Sequence, residues 1–295
     1  MHPAPSVIIF STLSGAGFGL LVFLGLGLPV VTGWVAFGFY FIGFALAVGG
    51  LLSAVFHLKN PKNAWKSYSQ WRSSWLSREG WAAVLALLAM GVYAFLQVFF
   101  AITVPPLGWI GAALSLFTVL TTSMIYAQLR TVPRWNQLPA TPVMFLTTAL
   151  AGGALLSANL AAAGILLVLA GAATVWHWLA GDRRFGEVGS TTRTATGLNG
   201  HVSLWEKPHT GGNYLTREMV FQIGRKHALK LRVVALALMV GLPLILVLLP
   251  MSHLTAVIAV LSYLAGVLTQ RWLFFAEAEH VVGLYYGAHD RPIAA

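Results

Sequence analysis

Runs of about 20 apolar residues, each long enough to cross a bilayer as a helix, recur along the whole chain and leave few folds open to it. They lie at roughly 7–30, 34–57, 80–104, 107–129, 142–160, 161–180, 231–250 and 254–277. A lone segment in lipid must satisfy its own backbone hydrogen bonds, so each run is predicted to be a helix. The expected fold is all-α: a polytopic membrane protein with eight transmembrane helices. Charge is scarce, at 9% of 295 residues, where a soluble domain carries about 25%. The unbroken 142–180 run is too long for one span, and "SANLAAAG" at its middle predicts a tight turn between two. Frequent Gly and Ala suit close helix–helix packing.

The positive charges sort the connections. Lys59, Lys62, Lys66, Arg72 and Arg78 lie in the 57–80 connection, and Arg130 and Arg134 in 130–141. Arg183, Arg184, Arg193, Lys207, Arg217, Arg225, Lys226, Lys230 and Arg232 lie in 181–232, and Arg291 in the C-terminal tail. With eight spans these segments share one face with both termini. Only Arg271 falls inside a span. The positive-inside rule makes that face, and both termini, cytoplasmic. The net charge of +10 then sets topology and meets anionic membrane lipid, and no nucleic-acid partner is expected. The start, "MHPAPSVIIF", lacks the basic n-region of a cleavable signal, so the first run is expected to stay as a span.

Three regions follow: six helices in 1–180, a polar loop in 181–230, and two further spans with a tail in 231–295. The loop is rich in Gly and Thr and has no extended apolar core to fold alone. Within it Leu215, Met219, Val220, Ile223 and His227 recur near helical spacing, opposite a basic face. That pattern fits an amphipathic interfacial helix and equally a docking surface for a soluble partner. The chain has no cysteine, which excludes disulfides, thiolate-held zinc and iron–sulfur clusters of its own. Any redox centre must be a haem, a quinone or a partner's cofactor, and no metal site is expected.

Ionisable residues at membrane depth are costly and are functional suspects by default. His57 ends the second run, Glu79 opens the third, His177 closes the sixth between Trp176 and Trp178, and Arg271 lies in the eighth, ahead of Glu277, Glu279 and His280. All sit near the cytoplasmic face. Each also has a plain structural reading. His57 can cap a helix C-terminus, and Glu79 can be the acid of an N-terminal turn capped by Ser77. His177 fits an aromatic belt. Arg271 can snorkel to the surface, or pair with Glu277 or Glu79. A His and a Glu on neighbouring spans at one depth suit a quinone, which needs hydrogen-bond partners and a route for protons. A b-type haem is the less favoured alternative, with His57, His177 and His280 as ligands; no span carries the widely spaced His pair of a two-haem helix. Transport is a further rival, disfavoured by a midplane almost free of charge.

The stretch "VFHLKNPKNAWKSYSQWRSSWLSRE" resembles a signature of the membrane anchor subunits of the dimethyl sulfoxide reductase family, which carry His-Leu-x-x-Pro after the second span and Ser-x-Glu at the third. Here these are His57, Leu58 and Pro61, then Ser77 and Glu79. "YAQLRTVPRWN" and "LAGVLTQRWLFF" resemble two further family segments. The resemblance implies an eight-helix anchor in a bacterial cytoplasmic membrane that binds quinone (ubiquinone or menaquinone) and generally lacks haem. It implies two partners, an iron–sulfur subunit and a molybdopterin catalytic subunit, so this chain itself has no catalytic residue toward the soluble substrate. It assigns His57 and Glu79 to the quinone site, to which depth adds Arg271, and Tyr126 of the second segment joins them. The basic 57–78 loop is expected to face the cytoplasm, and the 181–230 insertion and the ending "RWLFFAEAEHVVGLYYG" are more similar to the anchors of cytoplasm-facing, quinone-linked sulfite dehydrogenases. Partner docking is then expected at Lys59, Lys62, Lys66, Arg72, Arg130, Arg134 and Arg217.

Overall fold

The computed structural model describes residues 3–287, apart from 57, 59, 207–210, 212, 220–226 and 251; of residues 217 and 218 only the backbone is described. Long helices dominate. They are α1 (Pro5–Gly25), α2 (Gly33–Val55), α3 (Trp75–Phe100), α4 (Pro105–Ala127), α5 (Ala140–Leu156), α6 (Leu160–Val188) and α10 (His253–Ala276), with the short α7 (Thr192–Thr196) after α6. Before α10, α8 (Ala228–Leu236), a π-helical turn (Ala237–Gly241) and α9 (Leu242–Leu248) form one continuous rod.

Seven of these segments are long and apolar enough to cross a membrane. The fifth expected span is a 17-residue helix, about 25 Å long at 1.5 Å per residue and short of the ~30 Å hydrocarbon core. Among the described residues, length and composition alone therefore mark seven spans. The helix can be short because protein surrounds it: most of its residues are buried. In the opposite sense, α6 runs on to Val188, past the expected end near 180.

Local signals fix the ends. Pro5 and Pro105 open α1 and α4 at positions where a missing N–H costs nothing. The turn expected in "SANLAAAG" is there. Ala158 takes φ +54°, and the Asn159 side chain accepts from the Ala162 N–H to start α6. Ser252 and Thr255 form a capping box at the start of α10.

Helix α1 is the hub, packed on α2, α4, α5 and α10. Close approach is what its glycines permit: a Cβ on Gly17 would lie 2.3 Å from the Ala47 backbone nitrogen of α2, and one on Gly19 1.9 Å from the Ala149 carbonyl of α5. The π turn is held the same way, since a Cβ on Gly266 of α10 would meet the Met239 nitrogen at 2.3 Å. Ser262 Oγ donates to the Leu238 carbonyl within that turn at 2.8 Å, satisfying a group displaced from regular helical bonding.

The connections rich in Lys and Arg meet at one end of the bundle. The Val281 N–H donates to the Thr131 carbonyl at 3.0 Å, Tyr285 Oη to Ala195 O at 2.5 Å, and Asn213 Nδ2 to Tyr286 Oη at 3.1 Å. Most of the amphipathic segment expected at 215–227 lies outside the described residues; its first part, Leu215–Met219, is a π-helical turn.

Candidate functional site

Helix α3 begins at Trp75, about a turn earlier than the apolar run suggested. This changes the role of the "LSRE" stretch. Ser77 does not cap the helix; its Oγ donates to the Ser67 carbonyl and ties the preceding loop to α3. Glu79 lies beyond the first turn and is not an N-terminal dipole acid. It is 4% exposed. Thr122 of α4 donates its hydroxyl to Glu79 Oε1.

Glu79 lines a cavity of about 980 Å³ between α1, α2 and α3, and Tyr126, Trp135 and Phe275 are also part of its lining. Its walls are mostly Val, Leu, Ala and Phe. The roof is the 3₁₀ helix Pro61–Gln70, which contributes Asn63, Trp65, Ser67 and Tyr68. Gly80 allows that roof to close: a Cβ there would sit 2.8 Å from the Tyr68 ring. Trp81 Nε1 donates to the Tyr68 carbonyl at 3.0 Å, and the two rings meet edge to face. Tyr126 belongs to an aromatic cluster with Trp135, Phe145, Phe274 and Phe275, which fixes its ring at the cavity edge. His57 lies outside the described residues; Val55 and Leu58 beside it line the cavity.

Arg271 neither snorkels nor pairs with a carboxylate among the described residues. It is 2% exposed. Its Nη2 donates to Thr148 Oγ1 at 2.8 Å, and its guanidinium lies over the Phe145 ring at 3.6 Å. It is not on the wall of the large cavity. With Ser11, Ser14 and Thr122 it bounds a separate void of about 10 Å³. Thr122, the partner of Glu79, is therefore the element shared between the carboxylate and the arginine.

A second charge cluster, partly buried, stands at the same end of the bundle. Arg232 of α8 holds Asp182 of α6 with two bonds of 2.7 Å and reaches Glu277, just past α10, at 2.9 Å. Arg134 joins Asp182 at 2.7 Å and faces Glu277 at 3.6 Å. Burial pushes the Glu277 carboxyl above its ordinary 4.5, against the pull of Arg134 and Arg232. Arg134, expected to be a docking residue, is buried and engaged within the chain. Lys62, Lys66, Arg72 and Arg130 are exposed; Lys59 and the Arg217 side chain lie outside what is described.

His177 is not part of an exposed aromatic belt. It is 1% exposed and tilts against Phe274, with ring centroids 5.5 Å apart. His280 packs edge to face on Trp135, and burial pushes its imidazole down to about 4. Phe274 and Trp135 stack on one another, so an aromatic pair links the two imidazoles. Sequence reasoning missed Thr122, Asp182, Arg232 as an internal ion-pair partner, and Gln270. A signal existed for two of them: Asp182 is an acid in a strongly basic segment, and Gln270 adjoins Arg271 inside an apolar run.

Long apolar helices with a cationic rim define a multi-pass membrane protein, here with a buried carboxylate on a large, mostly apolar cavity. The chain belongs to the DMSO reductase anchor subunit (DmsC) family, whose model matches residues 1–181. It is 35% identical to a sulfite dehydrogenase subunit from Allochromatium vinosum over 329 aligned positions, covering 97% of this chain and 99% of that protein. No solved structure gives a significant match.

Proposed function

We propose that this chain is the membrane anchor and quinone-binding subunit of a three-subunit oxidoreductase, passing electrons from sulfite oxidation in the cytoplasm to the quinone pool. The observation that carries the reading is the cavity. Its lining is mostly apolar, and a buried carboxylate and a buried phenol, Glu79 and Tyr126, are part of it. A lipophilic ring with two polar oxygens and an isoprenoid tail fits such a lining. The name of the relative supplies sulfite. The sorted cations supply the cytoplasmic face, and the absence of cysteine requires that iron–sulfur centres belong to a partner. Exposed Lys62 and Lys66 on the roof, with Arg72 and Arg130, offer that partner a cationic surface above the cavity.

A quinone bound here would accept two electrons and two protons. The residues of this chain orient it and handle the protons. Thr122 fixes the Glu79 carboxyl by its hydrogen bond. Glu79 can then present its other oxygen to the cavity as a proton donor and acceptor. Tyr126, wedged by four aromatic rings, holds a phenolic oxygen nearby in one orientation. The 3₁₀ roof limits entry of water. The test uses the purified complex of all three proteins. Glu79→Gln should abolish quinone reduction while sulfite oxidation with an artificial acceptor and assembly of the complex persist. Unchanged quinone kinetics in Glu79→Gln and in Tyr126→Phe would refute the site.

A further inference from the structure

Buried polar atoms without a partner are uncommon in folded proteins. In this chain they are not scattered. Among the described residues, apart from Thr12 and His280, they belong to one series: Arg134, Glu277, Gln137, His177, Thr174, Gln270 and Arg271. Arg134 and Glu277 sit in the ion-paired rim. Gln137 Nε2 reaches the His177 carbonyl at 3.4 Å, while its Oε1 finds no protein partner. Both ring nitrogens of His177 are unpartnered. Thr174 lies one turn deeper than His177 on α6, and Gln270 one turn deeper than Phe274, which His177 touches, on the parallel α10. Both polar atoms of the Gln270 side chain are unpartnered, as are Nε and Nη1 of the next residue, Arg271. Gln270 is 0% and Thr174 0% exposed. Arg271 then borders the small void that Thr122 shares, and Thr122 bonds Glu79.

We propose that this polar seam is a hydrated proton path joining the ion-paired rim to Glu79. The path rests on the quinone reading, because it supplies that site. The physical argument is satisfaction. The unpartnered atoms of Gln137, His177, Thr174, Gln270 and Arg271 would each forfeit a hydrogen bond if the series were dry; bridging water restores them. Intramembrane ionisable groups that face a bundle interior are the usual lining of such paths. The void of about 10 Å³ beside Arg271 has room for about one water, with Ser11, Ser14 and Thr122 as further partners. No electron moves along the seam. Each proton leaves cytoplasmic water at the rim and hops by breaking one O–H bond and forming the next. It ends on the Glu79 carboxylate, from which it passes into the cavity. Two protons travel for each pair of electrons that the partner proteins deliver. The stacked rings of Phe274 and Trp135 keep the path apart from the cavity until it reaches Glu79.

The assembled complex gives the test. A high-resolution electron cryo-microscopy map should show ordered water bonded to Gln270, His177 and Arg271. Gln270→Leu, which keeps the volume and removes both polar atoms, should slow quinone reduction by about tenfold or more, with quinone affinity unchanged and a larger solvent deuterium isotope effect. Thr174→Val serves as a second variant that changes shape even less. A dry seam in the map, or wild-type turnover and isotope effect in both variants while Glu79→Gln stays impaired, would overturn the path and leave the quinone site standing. Full activity in Glu79→Gln would instead remove the site, and the path with it.

Discussion

Glu79 and Glu277 are each 4% exposed at the same end of the bundle, yet they are provided for differently. Glu277 faces two arginines, and Asp182 completes the cluster. Glu79 has one hydroxyl donor and a cavity. Matched charges close the first site around its carboxylate and join the 128–139 connection, α6, α8 and the end of α10. The second carboxylate is held in place but left with an open side. Burial of an acid therefore does not mark function in this molecule; what surrounds it does.

The comparison can be broken most sharply at Glu277. Glu277→Ala leaves buried Arg134 and half-buried Arg232 with less counter-charge, and should cost about 3–5 kcal/mol of stability, read as a lower unfolding midpoint in detergent. At Glu79 the balance should reverse. Glu79→Gln should leave the unfolding midpoint close to wild type while quinone turnover falls by about 100-fold or more. Thr122→Val tests whether the single hydroxyl matters to Glu79, with an expected loss of about tenfold in quinone turnover, the worth of one hydrogen bond to a charged group.

The smallest expected effect is on pH dependence at the same rim. Burial holds His280 neutral down to about 4, whereas its ordinary value is 6.5. Between those values the unfolded chain binds the proton and the folded chain does not, so stability falls as pH drops through that window. Glu277 acts in the opposite sense: with its folded value raised above 4.5, it weakens the fold as pH rises past 4.5. His280→Asn should flatten the acid side of the stability profile between pH 6.5 and 4, and an unchanged profile would show that the imidazole is not held neutral.

Much of this was legible from residue order. The apolar runs marked most helix ends to within about five residues; α3 starts at Trp75, ahead of its apolar signal, and α6 runs on to Val188, well past its own. The depth of Glu79 and Arg271 followed from their positions in those runs. Their partners did not. Arg271 was expected to reach water or a carboxylate, and instead it meets Thr148 and the face of Phe145. Arg134 was counted with the exposed cations and proved to be an internal counter-ion. The Thr122 bond spans 43 positions of sequence, and no helical periodicity reports which faces of α3 and α4 will meet.

The sequence by itself determined the solvent, the helices and the placing of the cations in the connections between them, because each follows from the local cost of placing apolar and charged groups in lipid. Only the tertiary structure decided which buried charges neutralise one another and which keep an open side. That choice depends on packing between distant helices, where Gly17, Gly19 and Gly266 bring backbones together and set the rotation of every neighbouring side chain.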